Sequence, residues 1–255
     1  MAQTDPVIGI LGVGELAGFI LRGAVGAGYS FLLSPRNAAL AETLAARLDA
    51  RVAHSNQDLV DRADMVLVCL PAKTGAEILA GLRFRPGQTV LSAMAGVGHG
   101  ALQEIVAPAE VFCTMMPGYA NALRIGPCLL YPESTSWRDF LTRLGPVHVF
   151  ERAEQFEIAS VFGAFSGASF GFMSSIIEWF SHQGLDPKTA RQLVAETLSG
   201  NAEVVRRVDA PLPEILAGVA TPGGISELCL GVLNEGSAIE QWSVALNAVL
   251  ARLTA

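Results

Sequence analysis

In the first part of the chain, apolar residues come in short runs, and each run is followed by a stretch with helical spacing. Val7–Leu11, Phe31–Leu33, Arg51–Ala53, Met65–Leu70, Thr89–Ala93 and Val111–Met115 read as strands. Leu16–Ala27, Asn37–Leu48, Thr74–Leu82 and Gly98–Val106 read as the helices between them, with Gly28 as the expected stop of the first. Ser55 is placed to cap a following turn, and weaker signals at Cys128–Tyr131, Trp137–Leu144 and Val147–Phe150 complete the series. Strands alternating with crossover helices pair parallel, so the pattern predicts an α/β, doubly wound, mostly parallel sheet over residues 1–151.

Near Glu151 the period changes and no further strand is expected. Residues 152–255 read as an all-helical domain, with Pro187 opening Lys188–Val208, Pro213 starting a short helix to Val219, and further helices at Glu227–Leu233 and Ala238–Leu253. Ile158–Ile177 carries no charge over its 20 residues. That length is enough to span a bilayer, and Gly163, Gly167 and Gly171 repeat at four-residue spacing as in membrane helix pairs. Five serines interrupt the stretch and no basic anchors flank it, which favours the other reading, a soluble helix buried at the centre of an oligomer.

The first strand empties into Gly12-x-Gly14-x-x-Ala17 and then a helix. This order is the fingerprint of a dinucleotide-binding Rossmann domain. The first glycine turns the chain, the second lets a pyrophosphate reach the backbone, and the small third residue lets helix and strand approach. A glycine-rich turn without a ligand is the bland alternative; the position after a strand and before a helix favours nucleotide. The second strand ends in Ser34-Pro35-Arg36-Asn37, without the acid that holds a free ribose 2′-hydroxyl. Ser34 and Arg36 suit a 2′-phosphate instead, so NADPH is the expected cofactor, with NADH second and a solvated surface charge as the bland reading of Arg36.

Composition narrows the classes. The 255 residues are 51% hydrophobic and 16% charged, with mean hydropathy +0.42, which points to apolar surface used between subunits, a homodimer or larger. A net charge of −7 without a basic cluster argues against nucleic acid. No charged n-region precedes an apolar core at the N-terminus, so a cytoplasmic protein is expected. Cys69, Cys113, Cys128 and Cys229 are widely spaced, and no metal site is expected.

Only two lysines exist, Lys73 and Lys188, and the long apolar helix has none. Oxidising an alcohol needs a base to take its proton, whereas a cyclic iminium already carries its proton and charge. Imine reduction therefore fits better than alcohol oxidation, and a non-catalytic nucleotide sensor is a third reading. Thr221-Pro222-Gly223-Gly224-Ile225-Ser226, a Gly-Gly bend entering a helix between two hydroxyls, reads as a carboxylate cradle or as a simple helix cap.

The chain resembles the pyrroline-5-carboxylate reductase family. The resemblance rests on I-G-I-L-G-V-G-E-L-A, Ser55-Asn56, the strand ending in Pro71, Ser92-Ala-Met-Ala-Gly96, Met116-Pro117, Phe165-Ser166-Gly167, Gly184-Leu185 and Thr221–Ser226, in that order. It implies an intertwined dimer and NAD(P)H-dependent reduction of a cyclic imine carboxylate, pyrroline-5-carboxylate to proline or a related imine. By the same resemblance Gly12, Gly14 and Leu16 meet the pyrophosphate, Ser34 and Arg36 the 2′-phosphate, and Asn56 the adenosine ribose. Leu70, Pro71, Ala95 and Gly96 lie on the nicotinamide side. Ser166, Thr221, Gly223, Gly224, Ile225 and Ser226 hold the small-molecule substrate, with the Ser226 hydroxyl as the catalytic group near the ring nitrogen. Departures from the family pattern fall at Ser166–Phe172, Gly118, Leu70, Glu15 and Ser226. They mark the substrate half as divergent and open the reading of an imine reductase with a non-proline substrate.

Overall fold

A computed structural model describes residues 5–48 and 50–254. Among them, eight strands form one sheet in the order β3-β2-β1-β4-β5-β6-β7-β8. The strands are β1 Val7–Leu11, β2 Ser30–Leu33, β3 Arg51–Val52, β4 Met65–Val68, β5 Thr89–Ser92, β6 Glu110–Met115, β7 Cys128–Tyr131 and β8 Val147–Val149. The first six pair parallel, as expected. The crossover helices are α1 Glu15–Ala24, α2 Ala38–Leu48, α3 Asn56–Arg62, α4 Ala72–Ala80 and α5 His99–Val106.

Helices on both faces explain why these strands read as unbroken apolar runs. Ile8 and Ile10 of β1, with Met65 and Leu67 of β4, face a cluster that includes Ile20, Leu21, Trp137 and Phe140. Leu11, Val66 and Val68 point the other way, toward Leu59, Leu79 and Leu102. Gly9 lies on this second face, where a Cβ would come 2.5 Å from Leu59 Cδ2; the glycine lets α3 close on β1.

Three local differences have physical causes. The first helix ends at Ala24 rather than Ala27, because Gly26 and Gly28 both take positive φ (72° and 80°) and already turn the chain. Arg124 helps close that end by donating to the carbonyls of Gly23 (2.8 Å) and Val25 (2.6 Å). The turn after Ser55 is a full helix, α3, whose Asp58 N–H donates to Ser55 Oγ at 3.0 Å. Between β6 and β7 the connection holds only a one-turn helix, α6 Tyr119–Ala122, too short for a crossover, so β7 returns antiparallel. A further helix, α7 Thr135–Leu141, leads to β8, which pairs parallel to β7.

The remaining elements are helical: α8 Ala153–Ser160, α9 Phe162–His182, α10 Pro187–Arg207, α11 Leu212–Val219, α12 Ile225–Glu235 and α13 Ala238–Leu253. The chain forms two compact units, one reaching to Gly163 and rejoined from Leu250 onward, the other Ala164–Val249. The helical run Ala153–His182 is long and apolar enough to cross a membrane by length and composition. The burial expected for this segment is not met within one chain, since α9, α11, α12 and α13 hold no buried residue and α10 buries only Ala190 and Val194. Most of the large exposed apolar side chains, among them Phe165, Phe170, Trp179, Leu216, Leu228 and Val232, belong to this unit.

Candidate functional site: a dinucleotide cleft and a helix-entry loop

The strand order reverses between β1 and β4, and open α/β sheets bind ligands at the carboxyl ends of strands at such a point. A cleft of about 400 Å³ opens there. Gly12, Val13, Gly14, Ser34, Arg36, Asn37, Asn56, Cys69, Leu70 and Pro71 line it, so seven of the residues expected at the cofactor share one cavity. Four short segments deliver them: the turn from β1 into α1, the end of β2, the start of α3, and the end of β4.

Gly12 takes φ +94°, and a Cβ there would sit 2.6 Å from the Cys69 carbonyl oxygen. Only glycine turns the chain this tightly against β4. The Gly12 N–H donates to Ser34 Oγ at 3.0 Å, which ties the turn to the end of β2. Ser34 is 2% exposed, so it fixes the loop, and its own hydroxyl proton remains available to a ligand oxygen. Gly14 caps α1 from an extended conformation, and no side chain caps the helix N-terminus. A Cβ on Gly14 would meet nothing within 4 Å. The first-turn N–H groups of α1 therefore lack the usual side-chain acceptor, and the positive end of the helix dipole adds to their pull on an anion.

Arg36 is exposed at the other end of the cleft and forms no ion pair among the described residues. Its fork is free for a phosphate. Glu15, the one acid in the first turn of α1, is exposed. Burial pushes the Cys69 thiol up to about 12, so it stays protonated and offers no nucleophile.

Leu16 is half-buried and packs on the first core cluster, outside the cleft lining. Ala95 and Gly96 line a second, small cavity of about 40 Å³ with His99, Cys113, Tyr131, Phe156 and Glu157. The expectations did not include these partners. Their signal was position, since Cys113 lies near the end of β6 and Glu157 just ahead of the uncharged run. His99 Nε2 is bonded to the Val111 carbonyl at 3.1 Å and is already committed. Burial, reinforced by Glu157, raises the Cys113 thiol to about 12. Among the described residues, no group of three or more His, Cys, Asp or Glu side chains is arranged to hold a metal.

The residues expected on the substrate side lie in the second compact unit. Ser166 is half-buried in the first turns of α9. Thr221 to Gly224 form a turn closed by the Gly224 N–H to the Thr221 carbonyl at 2.9 Å, and Gly223 takes φ +75°. A Cβ on Gly224 would come 2.9 Å from that same carbonyl oxygen. Gly224 caps α12 without a side-chain acceptor, so Ile225 and Ser226 stand in its first turn rather than in the loop. One participant was missed: Glu227, whose Oε2 accepts from the Gly223 N–H at 2.7 Å. Its position three residues after the cap is the spacing of a capping box, and that was the available signal.

Comparison with known proteins matches two stretches of the chain. The family model described as NADP oxidoreductase coenzyme F420-dependent matches residues 7–96, and the model for pyrroline-5-carboxylate reductase dimerisation matches residues 154–255. A pyrroline-5-carboxylate reductase of Aquifex aeolicus is 26% identical over 192 residues, 71% of each chain. Two similar solved structures are the 1-pyrroline-5-carboxylate reductase of Streptococcus pyogenes (TM-score 0.88, 19% identity, 97% of this chain and 98% of that one) and the pyrroline carboxylate reductase of Plasmodium falciparum with NADP bound (0.86, 18%, 99% and 98%). A reductive aminase of Aspergillus terreus in complex with NADPH and ethyl-5-oxohexanoate is more distant (0.60, 18%, 99% and 92%). Fold, cleft and matches together define a Rossmann-type oxidoreductase followed by a helical dimerisation region. Over most of its length the chain is similar to the pyrroline-5-carboxylate reductase family.

Proposed function

We propose that this protein reduces the C=N bond of a cyclic imine with NADPH. The cleft carries the reading: it joins an uncapped helix N-terminus, a glycine turn and an unpaired arginine along one wall. Gly12, Gly14 and the first turn of α1 bind the pyrophosphate, Ser34 and Arg36 the 2′-phosphate, and Asn56 the ribose. Leu70, Pro71, Ala95 and Gly96 face the nicotinamide. When bound, NADPH supplies the hydride. The protein's share is to orient the acceptor and exclude water, since an iminium arrives already charged and protonated. Both lysines, Lys73 and Lys188, are exposed, in keeping with a reaction that needs no strong protein base.

Two finer readings follow, pyrroline-5-carboxylate reduced to proline or an imine reductase with a non-proline substrate, and the first comes from the relatives. Its support is the name shared by the relatives and the Thr221–Ser226 loop, whose Ser226 hydroxyl would meet the ring nitrogen and which, with Ser166, would hold the substrate. Residues 1–151 serve the cofactor and residues 152–255 the substrate and a second copy of the chain. The exposed apolar faces of α9 to α13 and the dimerisation match favour that homo-oligomer over a bilayer. Four free cysteines suit a reducing cytoplasm. The test is NADPH consumption with a panel that includes pyrroline-5-carboxylate and other cyclic imines. Turnover with at least one is expected; none with any, by an enzyme that binds NADPH, would remove the reading.

A further inference from the structure

We infer that Glu227 sets substrate class, ranking cyclic imines without a carboxylate above those that carry one. The inference rests on the imine-reductase reading and on the loop ahead of α12 as the substrate's place. Three observations support it. First, the Gly223 N–H, one of the donors a substrate carboxylate would use there, already donates to Glu227 Oε2 at 2.7 Å. An incoming carboxylate must displace this charge-assisted bond or share the loop with a like charge. Second, the chain from Val208 to Ala251 contains Asp209, Glu214, Glu227, Glu235 and Glu240 and no Lys, Arg or His. No cation in that stretch offsets the repulsion, whereas a positively charged iminium is attracted by it. Third, Ile225 at the entry of α12 is apolar and, within one chain, 88% exposed, so the residue between the Gly-Gly bend and Ser226 offers hydrocarbon and no counter-charge to an anion.

The capping role of Glu227 does not compete with this inference, because the same bond closes the helix end and fills the cradle.

The measurement is kcat/KM with NADPH for 1-pyrroline and for pyrroline-5-carboxylate, which differ only in the carboxylate, in the wild type, Glu227→Gln and Glu227→Ala. The wild type is expected to favour 1-pyrroline, and Glu227→Ala to move the ratio toward the carboxylate substrate by about tenfold or more. Glu227→Gln, which keeps an acceptor but not the charge, is expected to fall between. A wild type that prefers pyrroline-5-carboxylate, or a ratio unchanged in both variants with NADPH affinity intact, overturns the inference and leaves imine reduction standing. If the wild type turns over no imine, the broader reading fails by itself. Calorimetric binding of pyrrolidine and proline then reads the same competition: proline affinity must rise in Glu227→Ala, and equal affinities across the three proteins refute the role of Glu227. Should Glu227→Ala lose its fold, Glu227→Gln carries the comparison.

Discussion

Replacing Gly14 by alanine separates the fold's demand for glycine from the cofactor's. At Gly14 the backbone has φ −132° and ψ −163°, extended geometry open to any residue, and an added Cβ touches nothing within 4 Å. Two small effects on stability oppose each other. Alanine restricts the unfolded chain, worth about 0.4–1 kcal/mol in favour, and it is a poorer N-cap than glycine by a similar amount. The melting temperature should therefore move by less than about 4 °C, the shift that roughly 1 kcal/mol produces in a chain this long. If a pyrophosphate approaches this backbone, the new methyl occupies its path and NADPH affinity should fall at least about tenfold, or roughly 1.4 kcal/mol. Thermal melts without ligand and fluorescence titration with NADPH give both numbers. Gly12→Ala is the contrast. Its Cβ would press on the Cys69 carbonyl at 2.6 Å from a φ of +94°, so about 1–3 kcal/mol of strain should appear in the melt itself. A Gly14→Ala protein that binds NADPH like the wild type would refute the placement of the phosphates.

Other outcomes are equally direct. Arg36→Ala should lower NADPH affinity by about tenfold to a hundredfold while leaving NADH nearly unchanged, because one charge-assisted contact to the 2′-phosphate is lost; steady-state kinetics with both cofactors decides it. Burial raises the thiols of Cys69, Cys113 and Cys128 to about 12 from the ordinary 9.0, so at mildly alkaline pH only the exposed Cys229 should react quickly with iodoacetamide. Between those two values the unfolded chain releases protons that the folded chain keeps, so these thiols make stability fall as pH rises, measurable by urea unfolding across that window. Phe170→Asp should dissociate the oligomer in light scattering and abolish turnover, with NADPH binding little changed.

The parallel core was legible because each strand is buried on both faces and each crossover helix has a polar side. Periodicity alone separates Met65–Val68 from Ala72–Ala80. The cofactor wall was legible for a different reason: Gly12, Gly14, Ser34 and Arg36 lie close to strand ends, and the parallel topology gathers those ends at one rim. Ala95 and Gly96 show the limit of that logic, since the rim is long enough to hold two cavities and they line the smaller. The role of Ser34 as acceptor for the Gly12 N–H was hidden by a separation of 22 residues, which only the β1–β2 register closes. Glu227 was overlooked because a single acid in a first helical turn reads as a dipole partner, and which N–H it meets depends on the φ +75° turn at Gly223.

The exposure of α9 within one chain joins these threads. An apolar helix predicts burial but not by whom, and here the chain supplies no cover of its own. The first unit has two core clusters that need nothing further. The second has only Ala190 and Val194 buried on its longest regular helix after α9, far too little apolar burial to offset the entropy of ordering its backbone alone. If a second copy covers its exposed apolar faces, part of its stability comes from association and depends on concentration. The loop at Thr221–Ser226 belongs to that second unit, so its integrity should follow that association, while the dinucleotide cleft depends on a core internal to one chain. The turn from β1 into α1, by contrast, is confined within one chain, by the Cys69 carbonyl oxygen 2.6 Å from where a side chain on Gly12 would begin.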